Sequence, residues 1–273
     1  MTIRRIVKLL SVAVLIGAAA FFSLYCYLRL NGYFYDAVTI RGELSPQTFV
    51  QVRKWLKNST MPGRTVIIDS TGGNGETAMA IGKLIHQYGW GVRVENRCYS
   101  SCAIFIFPAG KTKYLTKSAM LLFHGGPHQE NLGKLVDNCL SMLSGKKTQD
   151  AVSCGVKDKE GVVTSSVGDE KAVAEVSNFL SIPLMTHSAE EAVNAMMVLS
   201  DEFYKELGVN PLIGNYGQTG KYRQIYESYK YNGFVYSLDS LDKLGVNNIQ
   251  LVDGEWHPEL NPDYKLTYEV AYP

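Results

Sequence analysis

The chain has very little net charge. Its 27 Lys and Arg residues are balanced by 26 Asp and Glu residues, so the formal charge is +1 over 273 residues. Nucleic acids and other acidic polymers select strongly basic surfaces, and the composition gives no reason to expect such a partner. Internal repeats and low-complexity blocks are also lacking. What is left is an ordinary globular composition with enough apolar residues for a sizeable core.

Cysteine and histidine are scarce, with five of each. Cys26 lies in an apolar N-terminal stretch, and the others are Cys98, Cys102, Cys139 and Cys154. No histidine pair with ligand spacing accompanies them, so a zinc site is disfavoured and no metal is expected. In an oxidising compartment the simplest of the three possible pairings is local, Cys98–Cys102 and Cys139–Cys154. Reduced core thiols or a redox pair are the alternatives for Cys98 and Cys102.

The N-terminus departs from the average composition. Arg4, Arg5 and Lys8 precede an uncharged apolar stretch from Leu9 to Leu28, and about 20 such residues cross a bilayer as a helix. Positive charge ahead of the stretch favours export of the rest of the chain. Residues 1–30 are therefore predicted to be an uncleaved membrane anchor. A signal peptide cleaved near residues 18–20 is the alternative.

The rest of the chain predicts one α/β domain over residues 31–255. Strands and helices alternate through the first hundred residues of this domain, as expected for right-handed βαβ units around a mostly parallel sheet. Residues 128–177 interrupt the pattern and are predicted to be an inserted excursion, and residues 256–273 a tail on the surface. The expected elements are strands at 36–44, 64–69, 91–96 and 119–124, helices at 45–57, 76–89, about 101–108, 173–180 and 188–207, and a strand, short helix and strand over 233–254.

Polar residues suited to acyl transfer follow three of the predicted strands. Parallel sheets carry their working groups at the carboxyl ends of strands. Ser101 opens a helix, whose free amides and dipole favour developing negative charge. His124 has a suitable pKa for a general base. The amides of Gly72 and Cys102 are candidate oxyanion donors, since a glycine lets the backbone approach a substrate closely.

The segments "IDSTGGNGETAMAIGKLI", "CYSSCAIFIFPAG" and "AMLLFH" together resemble the Clp peptidase and crotonase superfamily. More narrowly, they are similar to its exported, membrane-anchored bacterial branch with a Cys–x–Ser–x–Cys-like segment. The resemblance covers Thr65 to Gly125 and is weaker at "NGFVYSLDSLDKLGVNNI". It implies a spiral of βαβ units in which Ser101 is the nucleophile, His124 the base and Gly72 the oxyanion glycine.

The chain departs from the family pattern at two places. Ser100 and Cys102 flank the nucleophile where small residues such as glycine and alanine are usual, and Ser100 is the alternative nucleophile. The position matching the triad acid is Asn232. An amide can orient an imidazole without stabilising its charge. A Ser–His dyad, or an acid from elsewhere in the chain, is equally open, the candidate acids being Asp201, Glu202 and Asp239.

The resemblance implies a serine hydrolase, most simply a peptidase, in the bacterial inner membrane with its catalytic domain in the periplasm. A peptide or protein substrate is expected and no cofactor. A homo-oligomer is left open, but the barrel and ATPase partner of the cytoplasmic Clp peptidase do not carry over, because the excursion replaces its ring-forming handle. The alternative class is an inactive scaffold at the membrane, which is favoured by the presence of Asn232 at the position of the triad acid. Acyl-CoA chemistry is disfavoured because exported proteins rarely meet CoA.

Overall fold

The structure is a computed structural model that describes residues 17, 19–23, 37–57, 64–128, 170–181 and 189–273. Most of the predicted anchor and most of the predicted excursion, with Cys26, Cys139, Cys154 and His187, lie outside these residues. Gly17 and residues 19–23 are helical and exposed. Within the described part of the chain, no helix is both long and apolar enough to cross a membrane.

The described elements alternate between strand and helix up to residue 115. The strands are β1 (Ala37–Leu44), β2 (Thr65–Gly73), β3 (Gly91–Tyr99), β4 (Lys113–Leu115), β5 (Met120–Leu122), β6 (Gly233–Tyr236), β7 (Ile249–Leu251) and β8 (Thr267–Val270). The helices are α1 (Pro46–Lys57), α2 (Gly75–Tyr88), α3 (a π-helical turn, Cys102–Ile106, running into Phe107–Ala109), α4 (Glu170–Leu180), α5 (Ala189–Leu207), α6 (Arg223–Glu227) and α7 (Leu238–Lys243). Short 3₁₀ turns cover Pro211–Gly214, Tyr216–Gln218, Gly220–Tyr222, Pro258–Leu260 and Pro262–Leu266.

Six strands form a central sheet, five of them in the order β1-β2-β3-β4-β7, and every pairing in it is parallel. The long strand β3 pairs with β4 along its first half and with β5 along its second half. β5 therefore lies at the carboxyl end of β3. A separate two-stranded parallel sheet, β6-β8, meets the end of β5 through an antiparallel bridge between Phe123 and Phe234. The α/β class with a mostly parallel sheet is thus confirmed.

Helix α2 shows how the sequence builds this core. Asn74 Oδ1 accepts a hydrogen bond from Thr77 N–H at 2.7 Å, so it caps the start of the helix. Gly89 ends it in the left-handed conformation, φ +64°. The face between these ends is apolar and buried, and it joins a core that includes the aromatic side chains of Phe105 and Phe203.

The structure differs from the sequence prediction at several element ends. β2 continues through Ser70 to Gly73, where a separate tight loop is predicted, because its end still pairs with Glu43 and Leu44 of β1 past a register shift. β3 continues to Tyr99. β4 is absent from the prediction, since three residues are too short a periodic signal. The predicted surface tail contains β8, which pairs with β6.

Candidate active site

The segment that carries Ser101 is a sharp turn from β3 into α3. Ser100 at this turn has φ +54°, a left-handed conformation that is uncommon for a residue with a side chain. Its amide donates to the carbonyl of Leu122 in β5 at 2.8 Å. Ser101 follows in helical conformation (φ −56°, ψ −28°) and is 3% exposed. The first amides of a helix have no acceptor within it, so the amides at the start of α3 stay candidate oxyanion donors.

The register of the sheet brings Ser101 and His124 to the same edge. Tyr99 of β3 pairs with Leu122 of β5, and paired strands lie about 4.8 Å apart. Ser101 and His124 are each the second residue beyond this pair. The structure therefore places two of the predicted site residues at neighbouring strand ends.

Gly72 lies directly against the serine turn. A Cβ at this position would be 2.6 Å from the carbonyl oxygen of Tyr99 and 2.8 Å from Cβ of Ser100, and the backbone has φ +89°. Any side chain would clash with main chain there, so only glycine fits. The predicted close approach between this glycine and the serine turn is present in the structure.

Hydrogen bonds at the end of β2 occupy both the Gly72 amide and the Ser101 hydroxyl. Ser70 Oγ accepts from the Gly72 amide at 3.1 Å and donates to the Gly42 carbonyl at 2.6 Å. Ser101 Oγ donates to the Gly73 carbonyl at 3.1 Å. No hydrogen bond among the described residues joins Ser101 to His124. The Gly72 amide is thus engaged inside the protein, and the hydroxyl of Ser101 has to turn before it can meet a base.

Cys98 and Cys102 form a disulfide in the structure, with an S–S distance of 2.00 Å and a Cα–Cα distance of 5.2 Å. Both residues are fully buried. The bond ties the end of β3 to the start of α3 and encloses Ser100 and Ser101 in a short covalent ring. The second predicted pair, Cys139–Cys154, lies in the part of the chain that the structure does not describe.

His124 is open to solvent on one side and crowded on the others. The residue is exposed by surface area, yet desolvation by the surrounding protein lowers its pKa. A lowered pKa keeps the imidazole neutral near pH 7, the form that accepts a proton.

Asn232 lies beside the histidine, as expected for a triad position. Its amide donates to the Leu266 carbonyl at 2.7 Å, and the next residue, Gly233, packs so closely that a Cβ there would be 3.2 Å from Cβ of His124. The side chain of Asn232 is exposed and makes no hydrogen bond with another described residue. Its role as the third catalytic residue stays a prediction.

The three alternative acids lie elsewhere or have other partners. Asp201 Oδ1 is 2.7 Å from Nε2 of His128, a histidine for which the sequence suggested no partner. Asp239 pairs with Lys243 at 3.0 Å, one turn along α7. Glu202 is exposed on α5. Over the described ranges, no carboxylate is hydrogen-bonded to His124.

Two buried amides that sequence reasoning missed hold the segment from His124 to His128. Gln218 Nε2 donates to the His124 carbonyl, and Asn215 Nδ2 donates to the His128 carbonyl, both at 2.6 Å. The residues are 7% and 3% exposed. Both come from a 3₁₀ region about 90 residues further along the chain, and a lone Asn or Gln in a turn-rich segment carries no periodic signal that would reveal it.

One further carboxyl group lies next to the glycine turn. Glu76 is in the first turn of α2 and only partly exposed, and burial raises its pKa.

The described residues contain no candidate metal site. Nowhere among them are three His, Cys, Asp or Glu side chains grouped closely enough to hold an ion.

Comparison with protein families and with curated proteins identifies no match for this chain. No protein-family model matches the chain, and no curated protein matches it. The functional argument therefore depends on the site itself.

Proposed function

We propose that the chain is a membrane-anchored serine hydrolase of the Clp/crotonase kind, acting on peptide bonds outside the cytoplasm. The observation that carries this proposal is the register between β3 and β5. It puts a serine at a helix start and a neutral histidine at the neighbouring strand end. The glycine turn that abuts the serine adds the third part of an acyl-transfer site. The spiral arrangement and the N-terminal anchor are parts of the same proposal.

In this mechanism His124 accepts the proton of Ser101 as the hydroxyl attacks the substrate carbonyl, and later returns it to the leaving amine. The Cys102 amide, at the start of α3, donates to the oxyanion. The Gly72 amide joins it once it leaves Ser70 Oγ. Substrate binding has to supply this rearrangement, because both Ser101 and Gly72 are hydrogen-bonded within the protein at rest. The first change is a rotation of the Ser101 side chain, and the second is a local rotation at a glycine with positive φ.

The same two hydrogen bonds favour a second candidate, a scaffold that keeps the fold without the chemistry. In an inactive protein the Ser101–Gly73 and Gly72–Ser70 contacts would be permanent structural bonds. The two candidates make opposite predictions about the reactivity of Ser101, and a serine-directed reagent separates them.

The deciding experiment is labelling of the purified, oxidised full-length chain with a fluorophosphonate, with the labelled residue located by mass spectrometry. The hydrolase predicts label on Ser101 that is lost in Ser101→Ala and slowed at least 100-fold in His124→Ala. Since the pKa of His124 is lowered, the labelling rate should fall only at pH values below 6.5, its ordinary value.

Ser100→Gly is the matched control, because glycine accepts the positive φ of that position at no steric cost. Retained labelling in this variant identifies Ser101 and not Ser100 as the nucleophile. A folded, oxidised protein that takes no label, or takes it equally without His124, contradicts the hydrolase and supports the scaffold.

A further inference from the structure

The amide of Gly72 donates to an acceptor that is buried inside the protein. This acceptor is Ser70 Oγ at 3.1 Å, and Ser70 is 0% exposed. An oxyanion donor stabilises the transition state only when it is aimed at the oxygen on which charge develops. A substrate comes from solvent, so one buried hydroxyl group withholds this donor from it.

The hydroxyl of Ser70 also links the glycine turn to β1. While it accepts from the Gly72 amide, it donates its own hydrogen to the Gly42 carbonyl at 2.6 Å. Gly42 has φ +78° and lies at the register shift between β1 and β2. Donating this hydrogen polarises the hydroxyl oxygen and strengthens it as an acceptor. The same side chain thus satisfies a main-chain acceptor in β1 and a main-chain donor in β2.

Strand pairing holds the glycine turn on its other side. Past the register shift, Glu43 pairs with Gly72 and Leu44 pairs with Gly73. Gly73 lies so close to β1 that a Cβ on it would be 2.5 Å from the carbonyl oxygen of Leu44. The turn is therefore fixed between β1 and the serine turn that Gly72 contacts.

The nucleophile is hydrogen-bonded to the same turn. Ser101 Oγ donates to the Gly73 carbonyl at 3.1 Å, so its hydrogen faces a main-chain acceptor. The attacking hydroxyl and one oxyanion donor are thus both occupied by residues 70–73. Of these two contacts, the bond between Ser70 and Gly72 alone depends on a side chain outside the proposed catalytic set. Substitution can remove it without changing the nucleophile or the base.

We propose that Ser70 is a positioning residue that keeps the oxyanion hole closed: its hydroxyl binds the Gly72 amide until a substrate oxygen competes for that donor. The substrate oxygen becomes negatively charged in the transition state, and charge-assisted hydrogen bonds are about twice as strong as neutral ones. The exchange therefore favours the substrate most during the reaction itself. The catalytic meaning of this inference rests on the proposed function, but the closed turn does not.

Ser70→Ala tests this control over the site. Alanine removes the acceptor, so the Gly72 amide becomes available to a reagent bound at Ser101. We expect fluorophosphonate labelling of Ser101 in the oxidised full-length chain to become about 2- to 10-fold faster, the factor that one neutral hydrogen bond is worth. The gain should be in the rate at saturating reagent and not in its apparent affinity, because the amide acts on charge formed during the reaction.

Ser200→Ala is the matched control. Ser200 is also 0% exposed, and its hydroxyl donates to the Met197 carbonyl at 2.8 Å within α5. This variant should label at the wild-type rate, and so should Ser70→Thr, which keeps the hydroxyl. Where the wild type takes label, a slower or unchanged rate in Ser70→Ala overturns the inference. So does an equal gain in Ser200→Ala or in Ser70→Thr.

Hydrogen exchange in the wild type tests the closed turn without any variant. NMR on the full-length chain with ¹⁵N-labelled glycine resolves the Gly72 amide. Because its acceptor is buried, this amide should exchange slowly in the wild type and lose its protection in Ser70→Ala. Fast exchange at Gly72 in the folded wild type overturns the inference even if Ser70→Ala does not fold.

The two proposals fail separately. A Gly72 amide whose protection depends on Ser70, in a protein that takes no label on Ser101, leaves the closed turn standing and removes the hydrolase. Label on Ser101 at a rate indifferent to Ser70 removes the control by Ser70 and leaves the hydrolase.

Discussion

At the scale of single residues, Lys113 is an ionisable side chain in a buried position. It is 5% exposed, its Nζ donates to the Gly110 carbonyl at 2.8 Å, and burial lowers its pKa to about 8. Unfolding restores an ordinary value of 10.5. Between these two values the unfolded chain binds the extra proton, so the free energy of unfolding rises with pH across that window.

Lys113→Met should abolish this rise. Between pH 7 and pH 10, the free energy of unfolding of the wild type should rise by about 2–3 kcal/mol relative to that of the variant. Urea unfolding of both proteins at several pH values measures this. The difference between them cancels the ionisation of tyrosines, which acts in the opposite direction above pH 10. Parallel pH curves for the two proteins would show that Lys113 is charged and solvated in the folded state.

Sequence reasoning singled out residues whose type has a distinctive chemical role. It missed residues that act only by hydrogen bonding to main chain. Ser101, His124 and Gly72 lie at strand ends and carry recognisable chemistry, so order and spacing were enough to place them at one edge of the sheet. Gln218 acts through one hydrogen bond to main chain and Ser70 through two. Such bonds depend on where distant backbone passes, and one sequence does not contain that information.

At the scale of elements, the turn from β3 to α3 combines a left-handed serine with a covalent ring. A left-handed residue with a side chain costs about 1–2 kcal/mol, and the Cys98–Cys102 bond offsets this by restricting the unfolded chain. The two cysteines are four positions apart, and closing so small a ring is worth about 2 kcal/mol in the chain-entropy account.

A double-mutant cycle on the two cysteines tests this contribution. Cys98→Ala and Cys102→Ala should each lower the free energy of unfolding by about 2 kcal/mol or more, and the double variant should add little, because either change alone breaks the bond. Labelling of Ser101 should weaken alongside. Urea unfolding under non-reducing conditions measures the cycle. Strictly additive losses would show two independent buried thiols.

Periodicity found the long helices better than the strand ends. α1, α2 and α5 begin and end within a residue or two of the predicted bounds, because each carries an apolar face at helical spacing. The ends of β2 and β3 run further than expected, since pairing with β1 and β5 extends them through Gly, Ser and Cys residues. Tertiary pairing outweighs strand propensity there.

At the scale of the whole molecule, the C-terminal strand β8 belongs to the structural core, whereas residues 256–266, apart from Asn261, are exposed or partly exposed. The sequence suggested a Pro- and Tyr-rich tail on the surface after residue 255. In the structure Trp256 Nε1 donates to the Ala119 carbonyl at 2.5 Å, and β8 pairs with β6. Tyr268 is 9% exposed and Val270 is 2% exposed. No other strand lies next to this short strand in the sequence. Its residues therefore do not indicate that it pairs with a strand more than thirty residues away.

Tyr268 links this strand to the site, and its substitution is the strongest test of the link. The ring packs on Phe234, whose backbone bridges to Phe123 next to His124, and the hydroxyl supports Gly217 next to Gln218. Tyr268→Ala should therefore lower the free energy of unfolding by about 3–5 kcal/mol, as for other large buried aromatics. Tyr268→Phe keeps the ring but leaves the Gly217 carbonyl without its donor, at a cost of about 1–3 kcal/mol.

Tyr229→Ala is the matched surface control for this pair, since Tyr229 is 74% exposed, and it should change stability by no more than about 0.5 kcal/mol. Urea unfolding of the three variants gives the ranking. Because β8 reaches the histidine segment through Gly217 and Phe234, Tyr268→Phe should also slow fluorophosphonate labelling of Ser101, whereas Tyr229→Ala should not. A Tyr268→Ala protein as stable as the Tyr229→Ala control would mean that β8 is a detachable tail, and the folded domain would then end near residue 255.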